Sequence, residues 1–352
     1  MKGITHYLTR IAQDRERGLV VMLLSPLVWF LSGLYAVAVL IMRGLYQAGA
    51  LKVFRAPVPV ISVGNITAGG TGKTPFVVML YKLLKDQGFS PMILTRGYMA
   101  GQTGPSDEAE MLKDLIGPVV FIGSDRVKSF RSAFVSGRFD CIILDDGFQQ
   151  WGFKKDLDIV MIDAEAPFGN GALIPRGILR EPLSALSSAS MVVLSKTERV
   201  LPQQLGLLKK RVATLAPEVV LAVAAQHVSG VRELFSGVEI FLTDIAGPAG
   251  AFCAIGAPDN FKRTLDSLGV EVKLFVAFAD HYRFNGEDVQ TIVEDCRALG
   301  VRNIFITHKD AGKVKAVAGS FAGIRIMIVD IDVVLTYGKT EFISSIAGLH
   351  RS

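Results

Sequence analysis

The residues from Val63 to Thr74 read VGNITAGGTGKT. An apolar run (residues 58–63) precedes them, and an amphipathic stretch (75–87) follows. Strand, glycine-rich turn, Lys-Thr and helix in that order make a phosphate cradle. Glycines let successive backbone N–H groups turn inward on an anion, and the helix N-terminus adds its partial positive charge. Thr67, Ala68, Gly69, Gly70, Thr71, Gly72, Lys73 and Thr74 are therefore the expected nucleotide contacts. Lys73 would reach the β- and γ-phosphates, and the Thr74 hydroxyl would meet Mg²⁺. A strict P-loop begins with Gly where this chain has Thr67, so the loop is a variant whose freedom comes from Gly69, Gly70 and Gly72.

A second apolar run ends in two carboxylates, Asp145 and Asp146. A strand that ends in Asp beside a P-loop holds Mg²⁺ directly or through water. Adjacent strand residues point to opposite faces, so the two carboxylates have different duties. The remaining groups say less by themselves. Asp107-Glu108 suits a helix N-terminus. Phe278-Ala-Asp-His-Tyr282 sets a carboxylate beside an imidazole. The Gly/Pro-rich loop 169–182 carries Arg176 and Arg180, which suit an anionic ligand, although a plain connector would have the same composition. Ser195-Lys-Thr-Glu198 stands where nucleotide switches carry NKxD, but it lacks the Asp that reads guanine.

These groups need elements to hold them. The chain has 352 residues, enough for about two domains. Half of it is hydrophobic, which excludes a disordered chain. Its three Cys are too scattered for a disulfide framework or a metal knuckle. Short apolar runs alternate with amphipathic stretches from residue 58 to about 217, predicting a parallel sheet covered on both faces. Beyond 217, residues 219–228 and 238–242 suggest an antiparallel pair, after which the alternation resumes. The expected division is a membrane-associated helix (1–50), a P-loop lobe (51–217) and a smaller C-terminal α/β lobe with a β-ribbon hinge (218–352).

The net charge of +5 lies wholly in residues 1–60, which hold seven Lys/Arg against two acidic groups. A neutral body with a basic, apolar N-terminus does not fit a nucleic-acid binder; it fits a body on an anionic membrane surface. Residues 19–42 carry no charge and could span a bilayer or lie in its interface. The sequence implies no protein partner.

Taken together, these blocks resemble the tetraacyldisaccharide 4'-kinase family. The match is collinear from about residue 50 to 315: SVGNITAGGTGKTP (62–75), LTRGY (94–98), SDEA (106–109), GSDR (123–126), LDDGFQ (144–149), LREP (179–182), FADH (278–281) and THKDAGK (307–313). The resemblance implies transfer of the γ-phosphoryl of ATP, with Mg²⁺, to the 4'-hydroxyl of an acylated glucosamine disaccharide 1-phosphate. It also implies work at the cytoplasmic face of the inner membrane in lipid A biosynthesis, and two α/β lobes joined by a two-stranded hinge. Carried over, Lys73 and Thr74 are the phosphate and Mg²⁺ contacts, Asp145 and Asp146 the strand-end acids, Asp107 the catalytic base and His281 its partner. Arg96, Arg126, Arg176 and Arg180 are the candidates for the anionic lipid. Closure of the second lobe on ATP is expected to bring His281 to Asp107. The chain departs from the family at Gln150 and Tyr282, where His is usual, and at SDEA. The competing reading is a membrane-associated P-loop ATPase or GTPase switch. Ala68, in place of a signature Lys before the glycine pair, and the missing NKxD argue against it.

Overall fold

The computed structural model describes residues 19–97, 107–135, 137–245, 247–317 and 323–351. His6 and the arginines of residues 1–18 lie outside them. In chain order the elements are α1 (Leu19–Gln47), β1 (Val60–Asn65), α2 (Lys73–Asp86), β2 (Pro91–Thr95), α3 (Asp107–Ile116), β3 (Val120–Ile122), α4 (Arg126–Ala133), β4 (Cys141–Asp145), β5 (Leu157–Asp163) and β6 (Met191–Ser195). There follow α5 (Pro202–Leu215), β7 (Val220–Glu233), β8 (Ala249–Cys253), α6 (Pro258–Ser267), β9 (Val272–Ala277), α7 (Gly286–Ala298), β10 (Asn303–Thr307), α8 (His308–Ala316), β11 (Arg325–Tyr337) and α9 (Lys339–Ala347). The chain divides into two compact units. One holds Met1–Arg96, Pro118–Gln226 and Val333–Ser352, the other Gly97–Gly117 and His227–Asp332.

In the first unit the strands run in the order β3-β2-β4-β1-β5-β6-β7, each parallel to its neighbours. Every residue of β1 and of β4 is buried, as a sheet covered on both faces requires. Register sets the chemistry: Val63 of β1 pairs with Asp145 of β4. The loop leaving β1 and the carboxylates leaving β4 therefore start side by side. Helix α2 covers this sheet with Phe76, Val77, Leu80 and Leu84 buried, a helical spacing. The C-terminal α9 belongs to the same unit. Its Phe342, fully buried, meets Phe76 edge to face with centroids 5.9 Å apart.

The second unit has the order β11-β10-β8-β9, again parallel. Phe252, Ile304, Ile306 and Ile326 form its core with the inner faces of α7 and α8. Strands β7 and β11 run through both units in opposite directions. Leu234 N–H donates to Ile326 O in the second unit, and Thr336 Oγ1 donates to Val223 O in the first.

The expected ribbon is corrected here. It is built from β7 and β11, whereas residues 238–242 contribute only a bridge between Glu239 and Arg232. The observed units also draw different boundaries. Segment Gly97–Gly117, expected in the P-loop lobe, groups with the second unit because the first residue of α3 is ion-paired to α8. Residues from Val333 onward return to the first unit.

Helix α1 holds an apolar window long enough to cross a membrane, of which 11% is buried. One face seats on the first unit. Ser32 Oγ donates to Leu173 O at 2.8 Å, Tyr35 OH to Arg180 O at 2.9 Å, and Arg43 is paired with Glu181. Leu27, Trp29, Phe30, Leu34, Val37 and Ile41 are exposed.

Gly64 shows how tightly β1 is packed beside the strand-end acids. A Cβ there would lie 2.5 Å from both Cβ and N of Phe148. Gly64→Ala should lower stability by about 1–3 kcal/mol, measured by chemical denaturation.

Candidate active site

The phosphate cradle is built by the first unit alone. Gly72 caps α2 in the left-handed conformation, φ 78°, a geometry that glycine adopts without strain. That turn makes Lys73 the first helical residue and Thr74 the second. Lys73 Nζ lies 3.1 Å from Asn65 Oδ1 and 3.2 Å from Asp146 Oδ1. Arg180 Nη1 reaches both oxygens of Asp146 at 3.1 Å. Burial alone would raise the Asp146 pKa, but the two cations outweigh it and hold the carboxyl below its usual value. Asp145 faces elsewhere: its buried Oδ2 accepts from Thr95 Oγ1 at 2.8 Å.

The loop itself is laced down from two sides. Ala68 N–H donates to Ile178 O, and Arg180 N–H to Ile66 O, each at 2.6 Å. At the end of β6, Ser195 Oγ donates to Thr71 O at 2.8 Å, and Lys196, just beyond the strand, donates through Nζ to Gly70 O at 2.6 Å. Lys196 also pairs with Asp163. Within SKTE, Ser195 and Lys196 thus serve the loop's backbone, while Thr197 donates to Ala224 O and Glu198 accepts from Gln226 N–H of β7.

The four arginines separate. Arg180 is at the site. Arg176 turns to α1, its guanidinium 5.4 Å from the Trp29 ring, while its backbone N–H donates to Ser32 Oγ. Arg126 is 2% exposed and lies beneath the acids, donating to Gly123 O and Asp145 O. It forms part of the floor of a cleft of about 340 Å³ that also includes Tyr46, Gln150 and Trp151. Arg96 is exposed.

Asp107 and His281 both belong to the second unit. His281 Nδ1 stands 3.2 Å from Asp107 Oδ2. This corrects the expected closure, because the pair is already formed within one unit. The same Asp107 oxygen also takes Lys313 Nζ at 2.7 Å. Lys313 is anchored in turn by Asp310 at 3.1 Å. Asp310, fully buried, accepts from Ala254 N–H and Thr307 Oγ1. Burial would raise the Asp107 pKa, yet the donors His281 and Lys313 hold it at about 2. The Asp107 hydrogen bond in turn raises His281, against the opposing effect of burial. Asp280 pairs with Lys309 at 2.9 Å. Tyr282 stacks on Phe278 and donates to Asp288.

Sequence reading missed Asn65, Lys196 and Lys313. Lys313 was visible in principle, three residues after Asp310 and so on the same helical face. Lys196 carries a structural signal. Among the described residues, the non-glycine residues with positive φ are Asp146 (52°), Lys196 (56°) and His281 (59°). Such strain collects at functional sites, and all three lie at the two clusters described above.

A parallel sheet with a glycine-rich loop after its central strand, a lysine at the helix start and acids on the next strand define a P-loop nucleotide-binding protein. The family profile described as tetraacyldisaccharide-1-P 4'-kinase matches residues 24–349. A tetraacyldisaccharide 4'-kinase of Anaeromyxobacter sp. (strain K) is 35% identical over 325 residues, covering 84% of this chain and 83% of its own. A probable mitochondrial tetraacyldisaccharide 4'-kinase of Arabidopsis thaliana is 34% identical, covering 82% and 80%. A crystal structure of LpxK from Aquifex aeolicus in complex with ATP superposes with a TM-score of 0.71 at 26% identity, covering 93% of this chain and 98% of that one. The chain belongs to the tetraacyldisaccharide-1-phosphate 4'-kinase family.

Lys313→Met removes one of the two donors that hold Asp107 at about 2. The Asp107 pKa should then rise toward the ordinary carboxylate range, followed by carbon NMR of the labelled side-chain carboxyl.

Proposed function

We propose that this chain transfers the γ-phosphoryl group of ATP to the 4'-hydroxyl of a tetraacylated glucosamine disaccharide 1-phosphate, giving lipid IVA. The observation that carries the reading beyond nucleotide binding is the Asp107–His281 pair. A switch ATPase activates water and needs no such dyad for a sugar hydroxyl. In this family member, an anionic carboxylate gripped by an imidazole stands ready to take a hydroxyl proton.

The first unit holds the phosphate cradle and the second holds the carboxylate–imidazole pair. In the first, the loop N–H groups and Lys73 bind the β- and γ-phosphates, and Arg180 adds positive charge near Asp146. The second supplies the base. Asp107, at about 2, is ionised at every working pH. So weak a base suffices if little proton transfer has occurred by the loose transition state of phosphoryl transfer. His281 orients the carboxylate and shares the arriving proton.

Thr74, Asp145 and Asp146 offer hard oxygen donors, the set Mg²⁺ prefers. No group of three His, Cys, Asp or Glu side chains clusters for a metal among the described residues. That fits an ion held by one or two carboxylates and completed by phosphate oxygens. When bound, it would neutralise charge on the β- and γ-phosphates.

Helix α1 fits an interfacial placement at the cytoplasmic face of the inner membrane. Its contacts with the first unit extend from Trp29 to Tyr46, about 26 Å along its axis. A helix flanked by folded protein over that length cannot also cross a hydrocarbon core of about 30 Å there. Its exposed Leu, Val, Ile, Trp and Phe side chains would enter the lipid instead. The acyl chains of the substrate stay in the bilayer, so the enzyme comes to them.

The test is transfer of label from γ-labelled ATP to tetraacyldisaccharide 1-phosphate in detergent micelles. Wild type should yield labelled bisphosphorylated lipid, Lys73→Ala none, and Asp107→Ala a kcat lowered about a hundredfold or more. ATP hydrolysis without labelled lipid would instead indicate a switch. The pH profile gives an independent check. Asp107 raises the His281 pKa, and only the neutral imidazole can share a proton. The rate should therefore climb with pH through that raised value. In Asp107→Asn the limb should move to lower pH, with a lower plateau.

A further inference from the structure

Arg43 ends the apolar run of α1, where a membrane-facing helix would direct it to lipid headgroups. It points the other way. Its side chain is 15% exposed, and Nη1 lies 3.1 Å from Oε2 of Glu181, whose side chain is fully buried. Glu181 does not end the path. Its Oε1 accepts from Gln149 Nε2 at 3.0 Å. The same Gln149 nitrogen donates to Asn65 O at 2.9 Å. Asn65, fully buried at the end of β1, donates through Nδ2 to Thr67 O at 2.8 Å and accepts Lys73 Nζ on Oδ1 at 3.1 Å. An unbroken line of hydrogen bonds thus runs from α1 to the lysine of the phosphate cradle. The residue beside Glu181 is Arg180, the other partner of Asp146.

We propose that Arg43 is a positioning residue for phosphoryl transfer: by fixing Glu181, and through it Gln149 and Asn65, it sets where Lys73 stands, so that the seating of α1 is felt at the P-loop. The proposal rests on Lys73 being the phosphate contact. Three features support it. Glu181 has no exposed surface, so its charge depends on Arg43 and Gln149 for compensation; burial already pushes its pKa upward. Gln149 donates both to the carboxylate and to the β1 backbone, so a shift of one drags the other. Asn65 uses the two ends of one amide to hold the loop carbonyl of Thr67 and the ammonium of Lys73. A side chain with only a membrane-anchoring duty would need none of these.

The test uses the full chain in micelles of an uncharged detergent, which removes any headgroup contact of Arg43. ATP affinity is measured by titration calorimetry without lipid, and kcat and the lipid KM by labelled transfer. Arg43→Met should weaken ATP binding or lower kcat about tenfold, with the lipid KM unchanged. Arg43→Lys should recover most of the loss, because it restores a cation beside the Glu181 carboxylate. Glu181→Gln, which keeps an acceptor for Gln149 and leaves its unpaired charge on Arg43, the more exposed of the two partners, covers the case in which Arg43→Met does not fold, and should give the same ATP defect. Unchanged ATP affinity and kcat in both variants would overturn the proposal, whether the change then appears in the lipid KM or only in the melting temperature. Lys73→Ala is the control on the underlying reading. If it binds ATP like wild type, the role of Lys73 fails and the proposal falls with it. If Lys73→Ala is weak while Arg43→Met and Glu181→Gln are normal, only the proposal fails.

Discussion

The phosphate end of this protein depends on one carboxylate held between two cations. Asp146 leaves β4 in a left-handed conformation that an aspartate adopts at some cost, and its charge is met by Lys73 from the P-loop and Arg180 from the 169–182 loop. Three segments distant in sequence are tied at that point. The ties need the register that sets Val63 beside Asp145, and this in turn needs β1 to run centrally and fully buried between β4 and β5. Phosphate arriving at the cradle meets Lys73 already oriented by Asn65 and Asp146, so little of its freedom remains to be lost on binding.

The second unit applies the same logic to a base. A buried Asp310, satisfied by a backbone N–H and a hydroxyl, steadies Lys313. Lys313 and His281 then share one oxygen of Asp107. The pairing holds the carboxylate ionised and pointed at the cost of basicity, since each donor that fixes it also lowers its affinity for a proton. An acceptor alcohol attacking phosphorus through a loose transition state tolerates that exchange. His281 has the opposite shift. Two coupled groups displaced in opposite directions leave the imidazole as the member that titrates nearest neutrality.

The parallel strands were legible because buried strands must be continuous apolar runs; residues 141–144 and 159–162 announce β4 and β5. The cradle was legible because phosphate binding demands glycine, lysine and hydroxyl at fixed spacing. Unit membership was less so. Nothing local in residues 107–116 says that α3 packs with α8; the contacts that place it, to His281 and Lys313, are tertiary and about two hundred residues away in the chain. In the long β11, Asp330 and Asp332 interrupt an apolar pattern that reads as a strand only from 326 to 329. Asp330 is satisfied instead by Arg232 and His308. Arg126 looked like a ligand contact from its place in GSDR. The structure commits its guanidinium to backbone carbonyls, a use that side-chain type alone cannot reveal.

On this reading Asp146 organises the cradle for transfer and is not what holds the nucleotide. The direct measurement is ATP affinity without Mg²⁺, together with single-turnover phosphoryl transfer with Mg²⁺, in Asp146→Asn. Removing a negative charge 3.2 Å from Lys73 should leave metal-free ATP binding as tight as wild type or tighter, while transfer falls by about a hundredfold or more. Weakened metal-free binding with transfer undiminished once ATP is saturating would show instead that Asp146 holds the nucleotide and does not organise transfer.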